Sequence, residues 1–268
     1  MMSRIVRVGL LLLSLSCMPA WADSGQFSVG PTTAGVKLED FGIPGLKTTI
    51  LSSFFETSIQ KFGSYTDVSV AASSHSFNST SWTAEFGAMS GSAGLPLGQG
   101  FGVGNDDLSV LESANTVYGF QNTTSEAIRL PVSESLFTSY ATTNADWDGF
   151  GAAGFGDELA VSTAAGSTSF DCSLPYGPGG STGFITCLIS TPTSTTTISG
   201  TSPFVSESEY YLIPAHGNLD LSISAQFGAS ADGNHQGVAP EPGTLTLLGT
   251  GLVGLAAMIR KRLATPAR

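Results

Sequence analysis

The chain has 268 residues, of which 33 are Gly, and carries 10 Lys+Arg against 21 Asp+Glu, a formal charge of −11 at pH 7. That balance excludes the basic footprint on which nucleic-acid binding depends. Sparse charge among abundant Gly, Ser, Thr and Ala is the composition of a turn-rich extracellular β protein, not of a helical one.

Residues 1–22 read as a secretory signal peptide. Arg4 and Arg7 make a positive start, residues 8–15 an apolar stretch, and Ala20-Trp21-Ala22 a small-x-small cleavage site that leaves Asp23 as the first mature residue. A lipoprotein signal at Cys17 is the alternative, and Ser14 stands where its motif has Leu. Residues 24–239 then hold 19 acidic side chains and 4 basic ones (Lys37, Lys47, Lys61 and Arg129), a net charge of about −15. Such a surface favours solubility and attracts divalent cations.

Short apolar–polar alternations recur between Gly, Asn and Ser clusters, the signal of strands and turns. They fall at residues 66–70, 81–86, 116–120, 158–162 and 197–199. The clearest pair is 210–213 and 219–227, joined by a turn at 214–218; in the second, Leu219, Leu221, Ile223, Ala225 and Phe227 all point one way. That is a strand with one buried and one wet face. Residues 46–62 read differently: Ile50, Leu51, Phe54, Phe55, Ile59 and Phe62 have a helical spacing, and a short helix is expected there. Residues 191–202 are dense in Ser and Thr and are expected as an exposed strand, with an O-glycosylated stretch as the alternative. The fold class is all-β, an antiparallel sandwich or jelly roll spanning residues 23–227. Residues 228–239, polar and Gly-containing, read as a linker.

Of three cysteines, Cys17 leaves with the signal peptide, and Cys172 and Cys187 remain. An even count in an oxidising compartment favours a disulfide between them, closing a hairpin over the Pro/Gly-rich residues 175–181. A redox pair lacks its C-x-x-C spacing.

Two acidic loops are candidate calcium sites. Residues 101–109 match a calcium-binding nonapeptide repeat except at its first Gly, with Asp106 and Asp107 as oxygen donors. A single copy lacks the neighbouring turn that normally shares the ion, and a Gly-rich turn entering a strand is the plainer reading; residues 154–161 echo it loosely. Asn144, Asp146 and Asp148 followed by Gly149 resemble the first half of a calcium loop, but Phe155 stands where a bidentate Glu is required. No other cofactor is implied. For catalysis, Asp106, Asp146, Asp148, Asp157 and Glu158 are the carboxylates available for glycoside hydrolysis. His75, His216 and His235 have no ligand spacing, and Ser90-Gly91-Ser92-Ala93-Gly94 lacks the leading Gly of a nucleophile elbow. No enzyme is expected. Asn78-Ser79-Thr80 and Asn122-Thr123-Thr124 are glycosylation patterns of little weight.

The end of the chain has three parts. Pro240-Glu241-Pro242 is followed by an uncharged apolar run over residues 243–259 and then by Arg260-Lys261-Arg262. As a helix the run spans roughly 25 Å, at the short limit for crossing a hydrocarbon core. The basic cluster would keep residues 260–268 in the cytoplasm and everything before the run outside. The order and terminal position of these parts resemble the PEP-CTERM sorting signal (residues 240–262), a module also labelled ice-binding protein C-terminal. The resemblance implies an exported protein, held in the inner membrane by its tail and processed by signal peptidase and an exosortase. It also implies a final place at the cell surface or in the biofilm matrix, with exopolysaccharide as the partner. A secreted carbohydrate-active enzyme and an ice- or surface-adsorbing protein are the alternatives. The latter needs a flat face of spaced Thr, for which Thr195-Thr196-Thr197 is too short.

Overall fold

A computed structural model of the chain describes residues 24–39, 43–94, 104–145, 151–177, 183–235 and 250–251. In chain order they form β1 (Ser24–Val29), β2 (Thr32–Leu38), β3 (Leu46–Phe62), β4 (Thr66–Val70), β5 (Ser74–Phe77), β6 (Ser81–Phe86), β7 (Met89–Gly94) and β8 (Gly104–Asn122). There follow β9 (Ile128–Thr138), β10 (Ala141–Ala145), β11 (Gly151–Thr163), β12 (Gly166–Gly177), β13 (Ile185–Ser190), β14 (Thr195–Gly200), β15 (Phe204–Ile213) and β16 (Asn218–His235).

A seven-stranded sheet has the order β14-β13-β12-β11-β16-β8-β3. Facing it are a five-stranded sheet, β15-β9-β2-β6-β5, and a four-stranded one, β10-β1-β7-β4. The two smaller sheets are halves of one layer, because β1 and β2, β6 and β7, β9 and β10, and β4 and β5 are each separated by three residues or fewer. The strand pairs are antiparallel, so the molecule is the all-β sandwich that the alternations imply.

Alternation builds the core. In β9, Ile128, Leu130, Val132, Leu136 and Thr138 are buried, and in β16 so are Leu221, Ile223, Ala225 and Phe227. Phe86 and Phe155 bring their rings to Phe227 at centroid distances of 5.4 and 5.7 Å. Trp82, Tyr118, Phe120 and Phe170 are also fully enclosed. The Cys172–Cys187 disulfide is present, joining residues directly opposite each other on β12 and β13. Residues 195–200 form the exposed edge strand β14.

Three expectations are corrected. Residues 46–62 are not a helix but the strand β3, paired with β8 along its length. An extra residue, Leu51, bulges between Ile50 and Ser52. The bulge shifts the alternation by one, and apolar residues sit on both faces, so the doublets Ile50-Leu51 and Phe54-Phe55 mimic a helical repeat. Thr48, Thr49, Ile50, Thr57 and Ile59 are β-branched and suit a strand. Residues 228–239 are not a linker throughout, since β16 continues to His235. Ala229, Ala231 and Gly233 extend the buried row of that strand, and a Cβ on Gly233 would lie 2.4 Å from Gly94 Cα. Finally, 210–213 and 219–227 do not pair with each other. β15 joins β9 and β16 joins β11, so the turn between them crosses from one layer to the other. Asn122 holds that crossing: its amide donates to Glu126 O, Ile213 O and Pro214 O. A buried side chain spent on three carbonyls is no glycosylation acceptor. Asn78 instead caps an exposed turn through Thr80 N and Ser81 N.

Candidate functional site

Of the expected calcium ligands, Asp106, Asp107 and Asn144 lie among the described residues. Asp106 and Asp107 are neighbours on β8 and therefore point to opposite faces. The buried Asp106 carboxylate accepts Ser64 N–H at 2.7 Å and Tyr65 N–H at 3.1 Å, tying down the turn after β3. Asp107 points outward beside Asp232 on β16, whose carboxyl is raised by burial first and by the Asp107 charge second. Asn144 is exposed on β10. Asp146 and Asp148 lie outside the described residues, as do Ala20, Ala22, Pro240, Glu241, Pro242, Arg260, Lys261 and Arg262. Among the described residues no group of three or more His, Cys, Asp or Glu is placed to hold a metal ion.

What the fold does assemble is a groove on the outer face of the seven-stranded sheet, about 440 Å³ in volume. It crosses β12, β11, β16 and β8. Gly156 and Gly228 face each other across its floor, where the missing side chains create the depression. A Cβ at Gly228 would come within 3.2 Å of Val110 O, so a side chain there would have to push the neighbouring strand back by a few tenths of an ångström. At one end, register puts Glu158 directly opposite both Asp171 on β12 and Gln226 on β16. Asp171, Glu158 and Gln226 thus form a row across three strands, all exposed. Leu111 and Leu174 add apolar wall. Like charges directly opposite on a sheet are destabilising. Chemically, the row offers carboxylate and amide oxygens to hydroxyl or cationic groups beside a glycine floor.

Comparison with known proteins adds one finding at the C-terminus. A model of the PEP-CTERM protein-sorting motif matches residues 238–262. The chain carries a PEP-CTERM motif. No curated protein and no solved structure matches it. The PEP-CTERM motif marks the chain for export, membrane-anchored sorting and processing by an exosortase. Within the motif only Thr250 and Gly251 are described, and both are helical. No helix among the described residues is long and apolar enough to cross a membrane; most of the apolar run 243–259 lies outside them.

The sandwich also buries acids that motif reading missed. Glu134 faces inward on β9, where its protonated carboxyl can share a hydrogen bond with Glu209. Burial, then the Glu209 and Glu207 charges, push it up to about 9, so it is protonated at neutral pH. Glu209 accepts hydroxyl hydrogen bonds from Tyr211 and, at 2.5 Å, from Thr168 on the opposite layer. Asp157, next to the groove residue Glu158, faces inward too; Thr138 donates to it, and burial raises it to about 7. Near β3, Glu112 accepts from Ser73 at 2.8 Å and Thr57 at 3.2 Å, and burial raises it. Thr116 Oγ1 there gathers Trp82 Nε1, Ser53 Oγ and His75 Nε2 within 3.3 Å. Alternation alone had the signal for Glu134, which takes its place in the row Ile128, Leu130, Val132, Glu134, Leu136.

Proposed function

We propose that this is a non-enzymatic protein of the cell surface or biofilm matrix, whose outer groove binds a hydroxyl-rich polymer such as exopolysaccharide. The observation that carries the reading is the Asp171–Glu158–Gln226 row over a glycine floor, on a disulfide-stapled sandwich exported with a PEP-CTERM tail. Carboxylates and amides recognise sugar hydroxyls by hydrogen bonds, and a groove lets several residues of a polymer contribute in series. The −15 charge of residues 24–239 favours a neutral or cationic polymer over an acidic one. Calorimetric titration of the protein with matrix polysaccharide from the same cells tests this. The double variant Glu158→Gln/Asp171→Asn is expected to weaken binding at least tenfold. Unchanged affinity in that variant removes the groove from the reading.

One observation favours a second reading. Glu158 and Asp171 are opposite each other on paired strands, spaced about 4.8 Å apart, and a carboxyl pair is what glycoside hydrolysis requires. Reducing-sugar release by the wild type, abolished in the same double variant, would favour the hydrolase. Binding without release favours the polymer-binding protein.

A further inference from the structure

β3 is the longest exposed element of the sandwich and an edge of its largest sheet, with β8 on one side and no strand on the other among the described residues. Its 17 residues include Ile50, Leu51, Phe54, Phe55, Ile59 and Phe62, all substantially exposed. Phe54 is 53% exposed and Phe62 66%. A long apolar strand at the end of a sheet is a template for another strand. Native edges are usually blunted by charge, and this one carries only Lys47, Glu56 and Lys61.

Those charges and the bulge together select a partner. Before the bulge, Leu46, Thr48 and Ile50 face inward with their buried β8 partners Asn122, Phe120 and Tyr118. After it, Ser53, Phe55 and Thr57 do. Lys47, Thr49, Leu51, Phe54 and Glu56 face outward. Consider a second copy of β3 laid antiparallel with the two-fold axis between Leu51 and Ser52. Leu46 then meets Thr57, Thr48 meets Phe55 and Ile50 meets Ser53, all inward pairs. Thr49 meets Phe54, and Lys47 meets Glu56, all outward pairs. The one-residue shift at the bulge is what makes an odd register face-consistent, and only across the bulge. In this register both Lys47 residues lie opposite Glu56 of the other copy. Opposing Glu56 to Lys61 instead would set an outward residue against an inward one. A parallel pairing in register would set like charge against like.

We infer that β3 is a homodimerisation edge: two copies of the chain join antiparallel through residues 46–57, merging their seven-stranded sheets into one. The contact is isologous, as a two-fold requires. It stacks exposed Leu51, Phe54 and Phe55 against the other copy, and extends each sheet by main-chain hydrogen bonds. The proposal does not depend on what the groove binds.

The test uses the full-length chain, purified in mild detergent, with Ser52→Cys introduced. Across the axis, position 52 of each copy is diagonal to its mate, within reach of a disulfide. Gln60→Cys, outward on the same strand but beyond the paired segment, is the control. Cys172 and Cys187 are already bonded to each other, and Cys17→Ser in every variant removes the one other thiol. On non-reducing electrophoresis, Ser52→Cys is expected to give roughly ten times more cross-linked dimer than Gln60→Cys. In the Ser52→Cys background, Glu56→Lys places Lys against Lys47 twice and is expected to cut the dimer roughly tenfold. Adding Lys47→Glu to that variant is expected to restore it, a rescue that mere loss of fold cannot give. Equal cross-linking at positions 52 and 60 overturns the proposal. So does a charge-swapped double variant that stays monomeric, and then another protein's strand is the occupant of the edge.

Discussion

Where β15 faces β12, the two layers meet through acids: Glu134, Glu207 and Glu209 beside Tyr211 and Thr168. Where β5 faces β3, they meet through rings. His75 lies 5.1 to 6.3 Å from Phe77, Trp82 and Phe55, and Thr116 draws Trp82, His75 and Ser53 together. The acidic side has a covalent staple close by, in β12 and β13, and ends in the short, polar β14. The aromatic side has no staple and ends in the long apolar β3. The difference teaches that one sandwich is closed by two kinds of chemistry: one side depends on protonation and oxidation, and the other on burial. A fold closed in this way should respond to redox on one side only, and to pH through Glu134 on that side and through the burial-raised Glu112 on the other.

The largest expected effect breaks the staple. Cys172→Ala/Cys187→Ala removes a cross-link between residues 15 apart, worth about 3 kcal/mol in the chain-entropy model. Urea unfolding should show a loss of that size, and hydrogen exchange should speed up first in β13 and β14 while β3 and β8 change little. A uniform rise across both sides contradicts the comparison.

The next effect is on pH. Folded Glu134 sits at about 9 against an ordinary value of 4.5, so the fold holds its proton more tightly than the unfolded chain does. Its contribution is therefore present in full below about 4.5 and is lost as pH rises through about 9. Asp157, raised from 3.8 to about 7, works in the same direction over a lower window. Stability should rise on acidification from pH 9 towards 5. Glu134→Gln keeps the shape and removes the ionisation, and should be roughly 2 kcal/mol more stable than wild type at pH 8, with no difference at pH 4. Denaturation midpoints at the two pH values decide it: an equal difference at both means that folding does not raise Glu134.

Much of this architecture could be read in the residues, and the failures have definite causes. The alternation of Leu219, Leu221, Ile223, Ala225 and Phe227 predicted β16 correctly, and the same period ran on through Ala229, Ala231 and Gly233. Gly233 lacks a side chain because Gly94 and Ala93 press against it, and the polar residues in between gave the stretch the composition of a linker. β3 was misread because one bulged residue changes the phase of its repeat. The groove was hidden for another reason: Glu158 is readable, but its partners Asp171 and Gln226 come to it only through strand register. The disulfide was legible because only two cysteines remained in an exported body. The sorting tail was legible as a motif, being a linear signal that a receptor reads without a fold around it.

The smallest expected effect bears on the apolar edge. Phe54→Ser removes a large ring, and in a core the truncation of a Phe costs 3–5 kcal/mol. At an exposed edge position it should change the unfolding free energy of the dilute, monomeric chain by less than about 0.5 kcal/mol. Phe227→Ala, on the fully buried β16 row, supplies the core reference within the same protein. The pair separates two explanations for an apolar β3. If Phe54→Ser is nearly silent at low concentration and becomes costly only as concentration rises, the ring contributes between copies. If it costs as much as Phe227→Ala even in dilute solution, something within the chain covers β3, and the aromatic side is closed as tightly as the acidic one.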